Sequence, residues 1–226
     1  MQQINPDQAL LDAQRVNPND PQPLLAQALR IAAFDEYEAY NTYNNVLMKF
    51  GNVMPFANII NSEITHYNEC INMLQKYGIE APFVTQEQIE LQNTLQECCE
   101  IAIAAEIDNI ALYDNLLMYV NEPDVRDLFY RIQAASYNNH LPAFRNCVAS
   151  YYTQNNNTAN PNGNMMDNIA QYQTLVEDAM AGNIDQNKIV SMLSNMNMSM
   201  IGGLAVGALG GITLSNLVNK EEIDEQ

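Results

Sequence analysis

Glu63 and His66 stand three residues apart in the segment NSEITHYNEC, residues 61–70. Residues three apart on an α-helix lie on the same face, so this carboxylate and this imidazole can bind one metal ion together. The chain has only two histidines, which makes the position of each informative. Taken alone the pair is a weak motif, because many surface helices contain a Glu and a His at this spacing.

Three other helical patterns place a residue of the same chemical type within a buried face. Glu36, Glu106 and His140 each occur in a series of mostly apolar residues spaced three and four apart, as expected for core-facing positions. Buried carboxylates cost free energy unless they are neutralised, and almost no Lys or Arg falls on these faces. A bound cation is the economical counterion. Sites rich in oxygen with one imidazole per metal suit iron, with manganese as the alternative.

Four long helical patterns must position these side chains. They run from residue 23 to Gly51, from about Pro55 to Gly78, from about Thr85 to Val120, and from Pro123 to about Thr153. Residues 1–22 predict an irregular arm with room for one helical turn. Residues 23–153 predict an all-α fold, an antiparallel four-helix bundle with two short connections and one longer one.

Two long segments of this bundle resemble the ferritin-like superfamily. They are ALRIAAFDEYEAYNTYNNVLMKFGNVMPFANIINSEITHYNECINMLQKYGI and AAEIDNIALYDNLLMYVNEPDVRDLFYRIQAASYNNHLPAF. More narrowly, residues 24 to about 148 resemble a prokaryotic ferritin-like family usually left as a domain of unknown function. The resemblance implies two metal ions, held by one Glu from each of two helices and a Glu-x-x-His from each of the others. It assigns metal-ligand roles to Glu36, Glu63, His66, Glu106 and His140.

The fourth helix departs from that pattern. The residue three before His140 is Tyr137, where the family has Glu, and Ser136 is four before it. The remaining ligands can hold two metals with extra water, one metal, or none productively, and we prefer these in that order. Tyr137 is either a ligand or a wall of the cavity. Four further polar side chains are candidates to line the site or to hydrogen-bond its ligands: Tyr43, Asn109, Tyr113 and Ser136.

Two functions stay open on this pattern. With iron bound, the resemblance implies a ferroxidase- or peroxidase-type oxidoreductase that oxidises Fe(II) or reduces oxygen or peroxide. The alternative is a non-enzymatic structural or binding bundle whose metal chemistry has decayed, tethered to a membrane or a protein shell by its C-terminal segment. The missing carboxylate of the fourth helix favours the alternative.

Charge and cysteine content indicate which binding partners and which cellular compartment to expect. The 27 acidic and 9 basic residues give a formal charge of −18, which argues against nucleic-acid binding through phosphate contacts. Residues 1–20 contain no pattern of a signal peptide. The four cysteines, at 70, 98, 99 and 147, form no Cys-x-x-Cys pair, so we expect small buried residues with reduced thiols in a cytoplasmic protein.

The C-terminal third has a different organisation. Residues 154–164, QNNNTANPNGN, predict a linker, residues 165–198 a helical hairpin, and residues 199–226 a Gly-rich apolar segment with an acidic tail. Residues 199–218 allow three roles: a membrane anchor, a glycine-faced helix that self-associates, and a docking peptide. The sequence GITLSNLVNK loosely resembles the tags that load ferritin-like cargo into an encapsulating shell.

Overall fold

The computed structural model describes residues 8–84 and 89–155, and this part of the chain is helical and contains no strand. The predicted hairpin and Gly-rich segment, with their anchor and shell roles, lie outside the described residues. The elements are α1 (Gln8–Ala13), α2 (Leu24–Phe50), α3 (Phe56–Lys76), α4 (Leu95–Leu117), α5 (Pro123–Ala135), a π-helical turn (Ser136–His140) and α6 (Leu141–Asn155).

Helices α2 and α3 begin and end close to where the sequence predicts. Pro23 and Pro55 immediately precede their first residues, where a ring with fixed φ and no N–H is compatible with a helix start. Helix α2 stops at Gly51, whose φ of +84° favours glycine and whose N–H donates to Leu47 O at 2.9 Å.

Helix α4 begins ten residues later than predicted. Its N-cap is Thr94, whose side chain accepts from Glu97 N at 3.2 Å while Glu97 Oε2 accepts from Thr94 N at 2.9 Å. This reciprocal capping box satisfies two of the backbone N–H groups that have no acceptor within the first turn of α4. Residues 89–93 are irregular, and Lys49 Nζ donates to Leu91 O and Gln92 O at 3.0 and 2.8 Å.

The fourth predicted helix is not continuous. Residues 136–140 form a π-helical turn in which Leu141 N–H donates to Ser136 O. Pro142 follows two residues later, and a proline has no N–H to donate to the carbonyl four residues before it. The wider turn accommodates one extra residue and so changes which side chains of this helix face the bundle interior.

Two apolar clusters enclose a polar layer. One joins the C-terminal half of α2 and the start of α3 to α4 and α6, around Phe56 and Phe144. The other joins α1, the first half of α2, the end of α3, the end of α4 and α5, around Leu11 and Phe129. Along α2, α3 and the α5–α6 pair the candidate ligands lie between residues of the two clusters, whereas Glu106 of α4 lies among residues of the first cluster. Leu10, Leu11 and Val16 are buried in the second cluster. The N-terminal arm, predicted as irregular with room for one helical turn, therefore packs against the bundle.

The prediction of four reduced thiols is wrong. Cys99 of α4 and Cys147 of α6 form a disulfide, while Cys70 and Cys98 are free and buried. The two partners are 48 residues apart, and only the packing of α4 against α6 brings them together. Within the described ranges, no helix has both the length and the apolar character to span a membrane.

Candidate metal centre

The five predicted ligands meet in the polar layer. His66 Nδ1 lies 3.1 Å from Glu36 Oε2 and 3.5 Å from Glu63 Oε2. His140 Nδ1 lies 3.0 Å from Glu63 Oε1 and 3.4 Å from Glu106 Oε2. The imidazole centroids are 6.0 Å apart, and all five residues are buried. Each of four helical segments contributes: α2 Glu36, α3 Glu63 and His66, α4 Glu106, and the π turn His140.

Glu63 belongs to two ligand groups at once. Glu36, Glu63 and His66 offer ligand atoms within 4.8 Å of one another, and so do Glu63, Glu106 and His140. Its Oε2 faces His66 and its Oε1 faces His140. A carboxylate with one oxygen toward each of two groups has the arrangement of a bridging ligand between two cations.

Two tyrosines hold the outer carboxylates in a crossed arrangement. Tyr43 of α2 donates its OH to Glu106 Oε1 of α4 at 2.7 Å. Tyr113 of α4 donates its OH to Glu36 Oε1 of α2 at 2.6 Å. Each tyrosine is seven residues after the glutamate of its own helix, so α2 and α4 present the same pattern to each other. In both glutamates the other oxygen faces an imidazole, which leaves it directed at the centre.

Ser136, not Tyr137, takes the inward position of the fourth helix. Ser136 is 3% exposed and its Oγ donates to Asn109 Oδ1 at 2.8 Å. Tyr137 is half-buried and packs against the apolar cluster around Phe144. The π turn explains this register, because one extra residue separates the inward serine from His140. Tyr137 is therefore not placed in either ligand group.

Asp35 is a site residue that the sequence analysis missed. Its Oδ2 accepts from Asn109 Nδ2 at 2.7 Å, and its Oδ1 accepts from Gln14 Nε2 at 3.0 Å. The chain of hydrogen bonds therefore runs from Ser136 through Asn109 and Asp35 to the N-terminal arm. Asp35 does not fall on the apolar series that contains Glu36. The cue in the sequence was an Asp beside a candidate ligand on a helix with few basic residues.

Ion pairs between the two imidazoles and the carboxylates stabilise the polar layer. Burial by itself lowers the pKa of His66, but the carboxylates of Glu36 and Glu63 outweigh it and raise that pKa to about 9. Burial also lowers the pKa of His140, but the carboxylates of Glu106 and Glu63 outweigh this effect and raise that pKa to about 10. The pKa of Glu63 is lowered although burial opposes this, because two imidazoles contact it. Burial, reinforced by the neighbouring carboxylates, raises the pKa of Asp35 well above its usual value.

One buried atom lacks a partner that a cation would supply. His140 Nδ1 is buried and makes no hydrogen bond of acceptable geometry, although two carboxylate oxygens lie within 3.4 Å. A buried nitrogen without a partner costs free energy, and a cation bound to this nitrogen and to the same carboxylates would supply one. By contrast, the distal nitrogen of His66 lies 3.3 Å from Ser62 Oγ, a contact that can fix the ring with Nδ1 toward the carboxylates. The donor set of carboxylates with two imidazoles fits divalent iron or manganese.

Comparison with known proteins assigns the chain to a family without a described activity. Residues 27–158 match the family described as "Uncharacterized protein domain (DUF2202)", and the chain belongs to that family. The matched residues include all five candidate ligands. Neither the curated proteins nor the solved structures contain a match to this chain.

Proposed function

We propose that this protein binds two iron ions in a carboxylate-bridged centre within a ferritin-like four-helix bundle, with manganese as the alternative metal. The observation that supports the proposal most directly is the position of Glu63, whose two oxygens face two separate groups of ligands. Glu36 and His66 complete one position, and Glu106 and His140 complete the other. Four helical segments contribute these residues, as in that class, except that the fourth contributes His140 without the Glu of the class pattern.

The remaining polar contacts orient this ligand set. Tyr43 and Tyr113 each occupy one oxygen of an outer glutamate, so that the second oxygen stays directed inward. The inward position of the fourth helix is Ser136, whose hydroxyl donates to Asn109, so this helix contributes no carboxylate to the centre. A metal held on this side would therefore need water or a small oxidant as a further ligand. Iron held by these residues would supply electrons for the reduction of oxygen or peroxide, which is the chemistry of a ferroxidase- or peroxidase-type oxidoreductase.

Anaerobic Fe(II) titration of the metal-free protein tests the proposal. We expect two Fe(II) per chain and a higher melting temperature with iron, because a ligand that binds only the folded state stabilises it. The control is Asp127→Asn, which removes one negative charge from an exposed side chain away from the centre and should bind iron as the wild type does. Absence of Fe(II) and Mn(II) binding would overturn the proposal. Oxidation of the bound Fe(II) by dioxygen or peroxide separates an enzyme from a binding protein.

A structural bundle without metal chemistry is the second candidate, and one observation favours it. The imidazoles and carboxylates already pair with each other, with both histidine pKa values raised above neutrality. A bundle with such pairs neutralises part of its buried charge without a metal. Melting curves that do not change on addition of Fe(II) or Mn(II) are the outcome expected of this candidate.

A further inference from the structure

An open groove at one end of the bundle reaches the disulfide between α4 and α6. Its volume is about 410 Å³, which is within the range of small-molecule sites in proteins. Pro55 before α3, Leu95 of α4 and Cys147 of α6 all line it. Cys147 is half-buried, whereas its partner Cys99 is 0% exposed. A small molecule in the groove therefore contacts one cysteine of the disulfide and not the other.

The disulfide joins the two helices that carry Glu106 and His140. Cys99 lies seven residues before Glu106, and Cys147 lies seven residues after His140. Seven residues are about two helical turns, or roughly 10 Å along each helix axis. Both cysteines belong to the apolar cluster around Phe144, which packs α4 against α6. The disulfide is therefore a covalent clamp between α4 and α6, about two turns from the second ligand group.

We propose that the Cys99–Cys147 disulfide is a site of thiol–disulfide exchange, at which a low-molecular-weight thiol bound in the groove attacks Cys147. The inference goes beyond the proposed function, and exchange at this site needs no metal. In the first step the incoming thiolate bonds to Cys147 Sγ, the bond between the two cysteines breaks, and Cys99 leaves as a thiolate that takes a proton from solvent. A second thiolate then attacks the sulfur of the bound thiol, and Cys147 leaves and is protonated in the same way. Two small thiols are thereby oxidised to one disulfide, while the protein disulfide accepts two electrons.

The groove suits a small thiol without negative charge. Leu95 and Ala143 provide apolar walls, and Asn146 and Ser150 provide polar groups that can hydrogen-bond a small ligand. The described residues that line the groove carry no formal charge, and the charge of −18 on the whole chain disfavours the approach of anions. A molecule of amino-acid to tripeptide size fits a groove of this volume, whereas a folded protein does not enter it.

Reduction of the folded full-length protein by 2-mercaptoethanol tests the site. We expect both cysteines to become thiols while the protein stays folded. Mercaptoethanesulfonate, an anionic thiol of the same chain length, should react roughly tenfold more slowly, after each rate is divided by that with an unstructured peptide disulfide. A disulfide that stays intact until the protein is denatured, or that yields only to a protein dithiol, would overturn the inference. Equal relative rates for the two thiols would overturn the assigned class of thiol.

A matched pair of aromatic substitutions tests the groove as the route. Ser150→Phe narrows the groove at an exposed lining residue, and Ala134→Phe adds the same side chain at an exposed position of α5 that does not line it. We expect 2-mercaptoethanol to reduce Ser150→Phe roughly tenfold more slowly than the wild type, because exchange depends on access to the attacked sulfur. Ala134→Phe should react at the wild-type rate. Equal rates in both variants would overturn the route.

Two single cysteine variants identify the sulfur that is attacked. Hydroxyethyl disulfide forms the same mixed disulfide with a free cysteine, and no second cysteine is then left to reverse it. We expect Cys99→Ser to be modified at Cys147 roughly tenfold faster than Cys147→Ser is modified at Cys99, because only Cys147 lines the groove. Peptide mass spectrometry locates each adduct, with Cys70 as the buried control. Equal rates at the two positions would overturn the assignment of Cys147.

Opening the clamp should act on the group that contains Glu106 and His140, a consequence that rests on the proposed function. We expect the reduced protein, freed of thiol before an anaerobic titration, to bind its second Fe(II) roughly tenfold more weakly than the oxidised protein. The double variant of Cys99→Ser and Cys147→Ser should match the reduced wild type. Equal Fe(II) binding in the two states would overturn this control of the centre. Absence of Fe(II) binding in both states would overturn the proposed function instead, and the reduction and mapping experiments would still decide the exchange site.

Discussion

The α2–α3 half of the bundle and the α4–α6 half supply unequal shares of the candidate centre. The first contributes Glu36, Glu63 and His66 from two uninterrupted helices. The second contributes Glu106 and His140, with the π turn before His140 and a disulfide between α4 and α6. Where the first half has Glu63 facing the interior, the second has Ser136. The second half therefore depends on a carboxylate of the first to complete its ligand group.

This dependence makes Glu63 the residue whose loss should have the largest effect. Glu63→Gln removes a ligand from both groups, so we expect both metal ions to be lost at concentrations that saturate the wild type. Glu36→Gln and Glu106→Gln should each retain about one ion, because each of these glutamates belongs to only one of the two ligand groups. Metal analysis after equilibrium dialysis measures all three variants. Equal losses in the three variants would contradict a shared carboxylate.

The disulfide has no counterpart in the first half, and its removal should weaken the second half. Replacing Cys99 and Cys147 together by Ser should cost about 4 kcal/mol of unfolding free energy, from the 48-residue separation of the partners. Chemical denaturation of the metal-free protein measures this loss. Cys70→Ser changes a buried thiol of α3 that forms no disulfide and serves as the control. A smaller loss for the double variant than for Cys70→Ser would contradict the prediction.

Both histidines, one in each half, should titrate well above pH 6.5 in the metal-free protein. The pKa of His66 in the first half is about 9, and that of His140 in the second is about 10. Because both folded pKa values are above the ordinary 6.5, the charged pairs stabilise the protein fully below pH 6.5, and this stabilisation is lost as pH rises through 9 and 10. Proton NMR of untagged protein gives two imidazole titrations, and His66→Gln assigns them. A pKa near 6.5 for either would contradict the pairing.

A carboxylate placed in the second half should make the two halves more alike. Ser136→Glu introduces it at the inward position and should tighten binding of the second Fe(II) roughly tenfold, because affinity rises with the number of charged ligands. Tyr137→Glu places the same group in an apolar cluster and should destabilise the protein without tightening binding. Calorimetric Fe(II) titration compares them. Tighter Fe(II) binding by Tyr137→Glu than by Ser136→Glu would show that residue 137, and not residue 136, faces the centre in solution.

The crossed tyrosines are the feature that the two halves share, and their removal should have the smallest effect. Tyr43→Phe and Tyr113→Phe each delete one hydrogen bond to a buried carboxylate, at about 2 kcal/mol of unfolding free energy. Similar losses in the two variants are expected from the matched contacts of 2.7 and 2.6 Å. Thermal denaturation of both variants at one pH provides the measurement. A loss confined to one variant would show that the two outer glutamates are not held equivalently.

The periodicity of the sequence was sufficient to predict that the five candidate ligands face the interior together. Glu36, Glu63, His66, Glu106 and His140 each fall on a face spaced three and four residues apart, and the structure brings these faces together. The starts of α2 and α3 were also predictable, since Pro23 and Pro55 have few compatible positions in a helix. These features depend on interactions within one helix, which sequence spacing reports directly.

Features that depend on contacts between helices were not predictable in the same way. The pairing of Cys99 with Cys147 needs the relative position of α4 and α6, which no local pattern contains. Tyr137 has the spacing of a ligand in a regular α-helix, and only the π turn before Pro142 moves Ser136 to the inward side. Asp35 reaches Asn109 from outside the apolar face of α2, so periodicity did not select it.

The packed N-terminal arm determines how far this protein can be shortened without loss of its core. The match to the family begins at residue 27, after α1 and the buried side chain of Val16. Gln14 of this arm reaches Asp35, one residue from a candidate ligand. A protein shortened to the matched residues would lack Leu10, Leu11 and Val16. It would expose the rest of their apolar cluster to solvent and lose that hydrogen bond. The boundary of shared sequence is therefore not the boundary of the folding unit in this chain.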